Sequence, residues 1–129
     1  MHQPSSNNFN SKKRVGGQGK IVGGTGKVTS AEIWNPESSS WSSAGDTGIA
    51  RSEHAASLLN DGRVLVTGGQ GAKNTAEIYN PEDSSWINAS EMIKSRYRHA
   101  VITLPDGRVL ISGGVGDDGV IEKSELFIP

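Results

Sequence analysis

An all-β chain of short antiparallel strands, grouped into successive four-stranded sheets, is what this sequence predicts. Three observations carry that expectation. The first is repetition: RSEHAASLLNDGRVLVTGG (residues 51–69) aligns without a gap on RYRHAVITLPDGRVLISGG (96–114), and SAEIWNPESSSW (30–41) aligns on TAEIYNPEDSSW (75–86), both at an offset of 45 positions. The second is punctuation. Short apolar runs are separated by Asp61-Gly62 and Asp106-Gly107, by the glycine pairs at 23–24, 68–69 and 113–114, and by Pro36 and Pro81. The third is that no segment keeps a 3.6-residue apolar period, which removes helical solenoids.

One unit reads, in order, as follows. His54–Leu59 and Arg63–Thr67 are strands joined by Asn60-Asp61-Gly62, where glycine supplies the positive φ of a tight hairpin. Gly68-Gly69 stops the second strand. Ala76–Tyr79 is a third, Asn80-Pro81-Glu82-Asp83 a turn, and Ser85–Asn88 a fourth. Pro81 lacks a ladder donor, which suits a turn. Four antiparallel strands per unit, repeated, are the mark of a propeller blade. The expected fold is therefore a partial β-propeller of about three blades, at about 17–47, 48–92 and 93–129, preceded by a flexible polar tail over 1–16. The first and last blades are incomplete: SNNFNSKKR (6–14) has nothing in common with a first strand, and KSELFIP (123–129) stops after a third.

Composition excludes several functions. The 129 residues hold 13 basic and 14 acidic side chains, a formal net charge of -1, so neither nucleic acid nor an anionic membrane is an expected partner. Hydrophobic residues make up 33%, with no run long enough to span a bilayer and no apolar stretch of signal-peptide length at the start. A cytoplasmic location would follow if the chain were complete. Cysteine is absent, which removes disulfides, thiolate zinc sites and cysteine nucleophiles.

The order Arg-x-x-His, Asp-Gly hairpin, double glycine, Ala-Glu-x-aromatic-Asn-Pro and tryptophan resembles the kelch repeat, in the form found in galactose-oxidase-like propellers. The Gly-His and Trp-Asp marks of WD-type blades are missing. The resemblance covers residues 17–129 and implies blades around a central channel, packing roles for the glycines and aromatics, and ligand binding by loops at the faces of the ring. In galactose oxidase the copper radical site depends on a tyrosine cross-linked to cysteine, so a chain without cysteine is not expected to form that cofactor. No cofactor and no metal are expected.

The recurring residues are expected to be structural. Trp34, Tyr79 and Phe127 share one repeat position, and Trp41 and Trp86 another, as wedges between twisted sheets. Arg51, Arg96, His54, His99, Glu32 and Glu77 recur too, and a group needed in every blade suits an interblade hydrogen bond or ion pair better than catalysis. Other apparent motifs fail. Gly19-Lys20 and Gly26-Lys27 are followed by Ile21 and Val28 where a phosphate loop needs Ser or Thr. GVGDDG (114–119) fits a dinucleotide pattern, but no helix follows to receive a pyrophosphate, leaving a glycine-rich β turn. Asp117 and Asp118 lack the spaced oxygen ligands of a calcium loop.

Function is then expected on the loops. Gly69 to Glu77 spans 8 positions but Gly114 to Glu125 spans 11, so the last unit carries three extra residues within Val115–Lys123. With the loop 70–74 and the connection 89–98, this nominates Lys73, Asn74, Lys94, Tyr97, Arg98, Asp117 and Asp118 as binding residues. Three blades do not close a ring of the usual four to eight. The chain is expected either to be a piece of a longer propeller, the preferred alternative, or to self-associate as a half-propeller. The expected role is a non-catalytic kelch-type binding or scaffold module for a protein or glycan. The alternatives are the scaffold remnant of an enzyme resembling sugar oxidases or sialate mutarotases, and a degraded gene product.

Overall fold

The computed structural model describes residues 29–35 and 38–129. The tail over 1–16, the glycine pair at 23–24 and the opening of the first blade lie outside the described residues. Every regular element described is a β-strand: β1 (Ser30–Asn35), β2 (Ser40–Asp46), β3 (Ala55–Leu58), β4 (Val64–Thr67), β5 (Ala76–Asn80), β6 (Ser85–Asn88), β7 (Ala100–Thr103), β8 (Val109–Ser112), β9 (Val115–Gly116), β10 (Gly119–Val120) and β11 (Ser124–Phe127). They form an antiparallel β1-β2 pair, the four-stranded sheet β3-β4-β5-β6, the three-stranded sheet β11-β8-β7, and a small β9-β10 hairpin. The middle sheet is a complete blade. The sheets flanking it hold strands three and four of one blade and strands one to three of the next.

The turns repeat as closely as the strands. In the middle blade Leu59 donates its N–H to the Arg63 carbonyl at 2.8 Å and Gly62 donates to the Leu59 carbonyl at 3.0 Å; Leu104, Arg108 and Gly107 repeat both bonds at 2.7 and 2.9 Å. Gly62 and Gly107 adopt φ of 95° and 93°, so Asn60-Asp61-Gly62 is a three-residue hairpin loop ending on a left-handed residue. Each aspartate accepts the N–H of the arginine two residues on, and the two side chains pair at 2.9 Å.

Blades only four residues deep bury their faces against each other. Towards the first blade, Val64 and Tyr79 pack on Ala31 and Ala44. Towards the third, Leu65, Ala76 and Ile78 pack with Val109, Ile111 and Phe127, around Met92. Tyr79 and Phe127 are 2% and 3% exposed, so these two aromatics fill the expected wedges. Tyr79 and Trp86 are cross-strand partners with ring centroids 5.0 Å apart, an arrangement contributing about 0.5–1.5 kcal/mol beyond area burial. The Trp86 indole N–H crosses the seam to the Ala44 carbonyl at 2.7 Å.

The recurrent arginine and glutamate work differently from the sequence expectation. Arg51 Nη2 meets Glu77 at 2.9 Å, and Arg96 Nε meets Glu125 at 3.2 Å, so each pair lies within one repeat and not between blades. Each arginine also donates from Nη1 to two carbonyls, Gly68 and Thr75 for Arg51, Gly113 and Lys123 for Arg96. Each glutamate accepts two backbone N–H groups of the connecting segment, Gly48 and Ile49 for Glu77, Ile93 and Lys94 for Glu125. The clamp therefore ties the link between blades to strands two and three of the blade it enters. Burial pulls Arg51 below the usual arginine range, opposed by its hydrogen bond to Glu77. The side chains of Arg51 and Glu77 are 0% and 2% exposed.

Removing one member of such a buried pair leaves an uncompensated charge. Arg51→Met is expected to destabilise the fold by about 3–5 kcal/mol in urea titrations. Arg63→Ala, which breaks the solvent-screened pair with Asp61, is expected to cost less than about 1 kcal/mol. Equal losses would contradict the clamp.

Candidate functional site

Three connections meet at one end of the second and third blades. In the loop at 70–74, Ala72 donates to the Gly69 carbonyl and Thr75 to the Ala72 carbonyl, both at 3.1 Å, which holds Lys73 outward at a φ of 58°. The three extra residues of the last unit build the β9-β10 hairpin, in which Val115 faces Val120 and Asp117-Asp118 form the tip. Tyr97 and Val115 exchange both backbone hydrogen bonds at 2.9 Å, and Ile121 donates to the Gly114 carbonyl at 2.9 Å, so the hairpin lies against 95–97. A Cβ on Gly116 would stand 2.7 Å from the Ser95 carbonyl oxygen, which is why glycine is needed there.

Two adjoining grooves result. The larger, about 520 Å³, is lined among others by Ile93, Lys94, Asp117, Asp118, Val120 and Lys123. The smaller, about 290 Å³, is lined by Gln70, Lys73, Tyr97 and Asp117 with the backbone around them. Asp117 stands where they join. Five of the seven nominated residues thus come together: Lys73, Lys94, Tyr97, Asp117 and Asp118. Asn74 is not among them. Its amide donates to the Met92 carbonyl at 3.1 Å while Met92 N–H donates back to the Asn74 carbonyl at 2.8 Å, a clasp between the loop and the next link. Arg98 is also engaged elsewhere. Its Nε pairs with Glu53 at 2.6 Å, its N–H donates to the Glu53 carbonyl at 2.9 Å, and Gln70 Nε2 donates to the same carboxylate. The hydrogen bond to Glu53 raises the Arg98 guanidinium above the ordinary arginine value. Glu53 and Arg98 hold the same repeat position and the same left-handed φ of 58° and 57°, so the contact joins like positions of neighbouring blades.

Ile93 and Val120, each 80% exposed, were missed by sequence reasoning. The inserted hairpin carried a signal for Val120. Ile93 looked like an ordinary residue of a variable connection.

Beside the smaller groove, His99 spans the seam between blades. Its Nε2 meets Thr67 Oγ1 at 2.8 Å, and its buried Nδ1 has no partner. Burial first, and the Arg96 charge second, push the His99 imidazole down to about 4, against smaller opposing effects of Glu125 and Thr67. Among the described residues no group of three or more His, Cys, Asp or Glu side chains is placed to hold a metal. With His99 committed to Thr67 and no cysteine in the chain, the described residues do not fit a copper centre. No helix among them is long and apolar enough to cross a membrane.

The four-stranded meander, its recurrent turns and its face-to-face seams define a β-propeller. The family model of the Kelch motif matches residues 51–93, the middle repeat. No curated protein matches the chain. Among solved structures the chain is similar to a fungal alcohol oxidase of the AA5 family in complex with copper, at 24% identity and a TM-score of 0.60 over 82% of this chain. The chain spans 23% of that structure's length, and the likeness is one of fold. The middle repeat carries a Kelch motif, and the fold of the chain is that of β-propeller blades.

An unfolded histidine takes its proton near pH 6.5, whereas folded His99 resists until about 4. Between those values the unfolded chain binds more protons, so stability falls as the pH drops from about 6.5 to 4. His99→Gln, which keeps a polar group for Thr67, is expected to flatten that part of the pH profile of the urea midpoint. An unchanged slope would remove His99 as its source.

Proposed function

We propose that this segment is a non-catalytic binding module whose loop end takes up a protein partner. The observation that carries the reading is the larger groove. Two of the most exposed apolar side chains described, Ile93 and Val120, lie beside Lys94, Lys123, Asp117 and Asp118. Apolar contacts within a rim of mixed charge are the usual make-up of a protein interface, while the balanced charges orient the partner. A blade pair beneath loops of unequal length suits recognition, since the scaffold fixes where the loops stand. A glycan would instead seek an open aromatic face. Tyr97 is half-buried, with the Arg98 guanidinium 6.0 Å from its ring centroid, which favours protein over glycan.

The likeness to an alcohol oxidase supports a second reading, in which the segment is scaffold within a propeller enzyme whose reacting groups stand on other blades. The reading as a binding module rests on the groove and needs no such groups.

Affinity capture with the chain, followed by titration of the captured protein, tests the proposal. The pair Ile93→Glu and Val120→Glu is expected to weaken binding at least about tenfold, or 1.4 kcal/mol, with thermal unfolding unchanged. Binding that survives this pair but fails with Lys73→Ala and Tyr97→Ala would move the site to the smaller groove. Binding to a glycan array alone would replace the protein reading.

A further inference from the structure

We infer that Asp118-Gly119, at the tip of the β9-β10 hairpin, is a site of spontaneous backbone isomerisation, where aspartate becomes isoaspartate in the folded chain. The sequence holds three Asp-Gly pairs, at 61–62, 106–107 and 118–119. Each sits in a hairpin turn with its glycine at positive φ, 95°, 93° and 107°, so the backbone of the turn does not set them apart. Glycine matters because, lacking a Cβ, it leaves its nitrogen open to the carboxyl of the residue before it.

The reaction is internal. The Gly119 nitrogen attacks Cγ of the protonated Asp118 carboxyl. A C–N bond forms, the C–OH bond breaks, and the hydroxyl leaves with the amide proton as water, giving a cyclic succinimide. Water then adds to one of the ring's carbonyls. Addition at the former side-chain carbonyl restores aspartate. Addition at the main-chain carbonyl breaks the original peptide C–N bond instead, so the chain runs on through Cβ and Cγ and the α-carboxylate is left free. Mass and charge are unchanged, but the backbone gains a methylene. That methylene falls beside Asp117, where the two grooves join, so isomerisation reshapes both of them whatever they bind.

What separates the three sites is the residue after the glycine. Asp61 and Asp106 precede Gly-Arg, and each arginine holds its aspartate twice, by its backbone N–H at 3.1 and 3.0 Å and by Nε at 2.9 Å. Those carboxyls must give up both contacts to reach the glycine nitrogen. The Arg108 N–H also keeps the Asp106 carboxyl below the usual carboxylate range, which depletes the neutral acid that loses water. The Gly62 and Gly107 N–H groups are in turn committed to the Leu59 and Leu104 carbonyls at 3.0 and 2.9 Å. Asp118 precedes Gly-Val. Among the described residues its carboxylate has no hydrogen-bond or ion-pair partner, and Asp118, Gly119 and Val120 are all exposed. The hairpin around them pairs only two residues on each side, and so short a ladder opens readily.

Peptide mapping of the chain aged at neutral pH reads each site separately. Cleavage after arginine and lysine places the three pairs on different peptides, 52–63, 99–108 and 109–123. Isoaspartate is separated by chromatography and located by fragmentation that distinguishes its extra backbone carbon. It is expected to accumulate at 118 about tenfold faster than at 61 or 106, the combined worth of an ion pair and a backbone hydrogen bond. In urea, where the chain is unfolded, the three rates are expected to converge. Val120→Arg, which gives the tip the Asp-Gly-Arg order, is expected to slow Asp118 a few-fold, and Arg108→Ala to speed Asp106 by a similar factor. Equal rates at the three sites of the folded chain would overturn the inference. So would isoaspartate placed at Asp117, none at 118, or rates that neither substitution moves.

Discussion

A sheet four strands wide and four residues long has two faces and no interior, so each blade owes its stability to the blades on either side. β4 illustrates this most directly, being buried at every position, with Val64 against one neighbour and Leu65 against the other. Strand alternation sends successive side chains to opposite faces, and here both faces are apolar. Buried on both sides, such a strand reads as a continuous apolar run, VLVT, where a half-exposed strand would alternate. The wedge between two twisted sheets widens outward, and large rings at the third strand close it.

Apolar faces alone would let blades slide. The seams are also fixed by polar contacts: Trp86 to the Ala44 carbonyl on one side of the middle blade, and His99 to Thr67, Arg98 to Glu53, and Asn60 to the Pro105 carbonyl at 3.2 Å on the other. Within each repeat, the buried arginine–glutamate clamp fixes where the incoming link sits before the next sheet begins. Carbonyls take the Nη1 protons of each arginine and backbone N–H groups reach both oxygens of each carboxylate, while the buried Arg51 Nε is left without a partner. Those bonds are what make a buried ion pair tolerable. The same link carries Ile93 and Lys94, both of whose N–H groups bond Glu125, so the groove wall is positioned by the clamp below it. Fold and candidate site share these contacts.

Much of this was legible in the sequence, for a physical reason. Repetition exposes whatever every blade needs, and the hairpins, the Ser85–Asn88 strand and the wedge positions of Tyr79 and Phe127 were all readable from it. Repetition does not say which neighbour a residue faces. Arg51 and Glu77 recur with the same period whether they pair within a blade or across a seam, and only the path of the chain decides. The site was legible as loops of unequal length, which brought out Lys73, Tyr97, Asp117 and Asp118. Asn74 and Arg98 looked alike in sequence to groove residues, yet their side chains reach across to backbone and to Glu53. Ile93 gave no signal because an exposed isoleucine is defined by its surroundings.

The dependence of each blade on two neighbours is tested most directly by native-state hydrogen exchange resolved by residue. The account predicts that amides of β4 and β5, flanked on both faces, exchange slowest, with Leu65, Val66 and Ile78 near the global limit and β7, β8 and β11 opening at lower free energy. Equal or greater protection of the third sheet would mean that its single seam suffices, and would contradict the account.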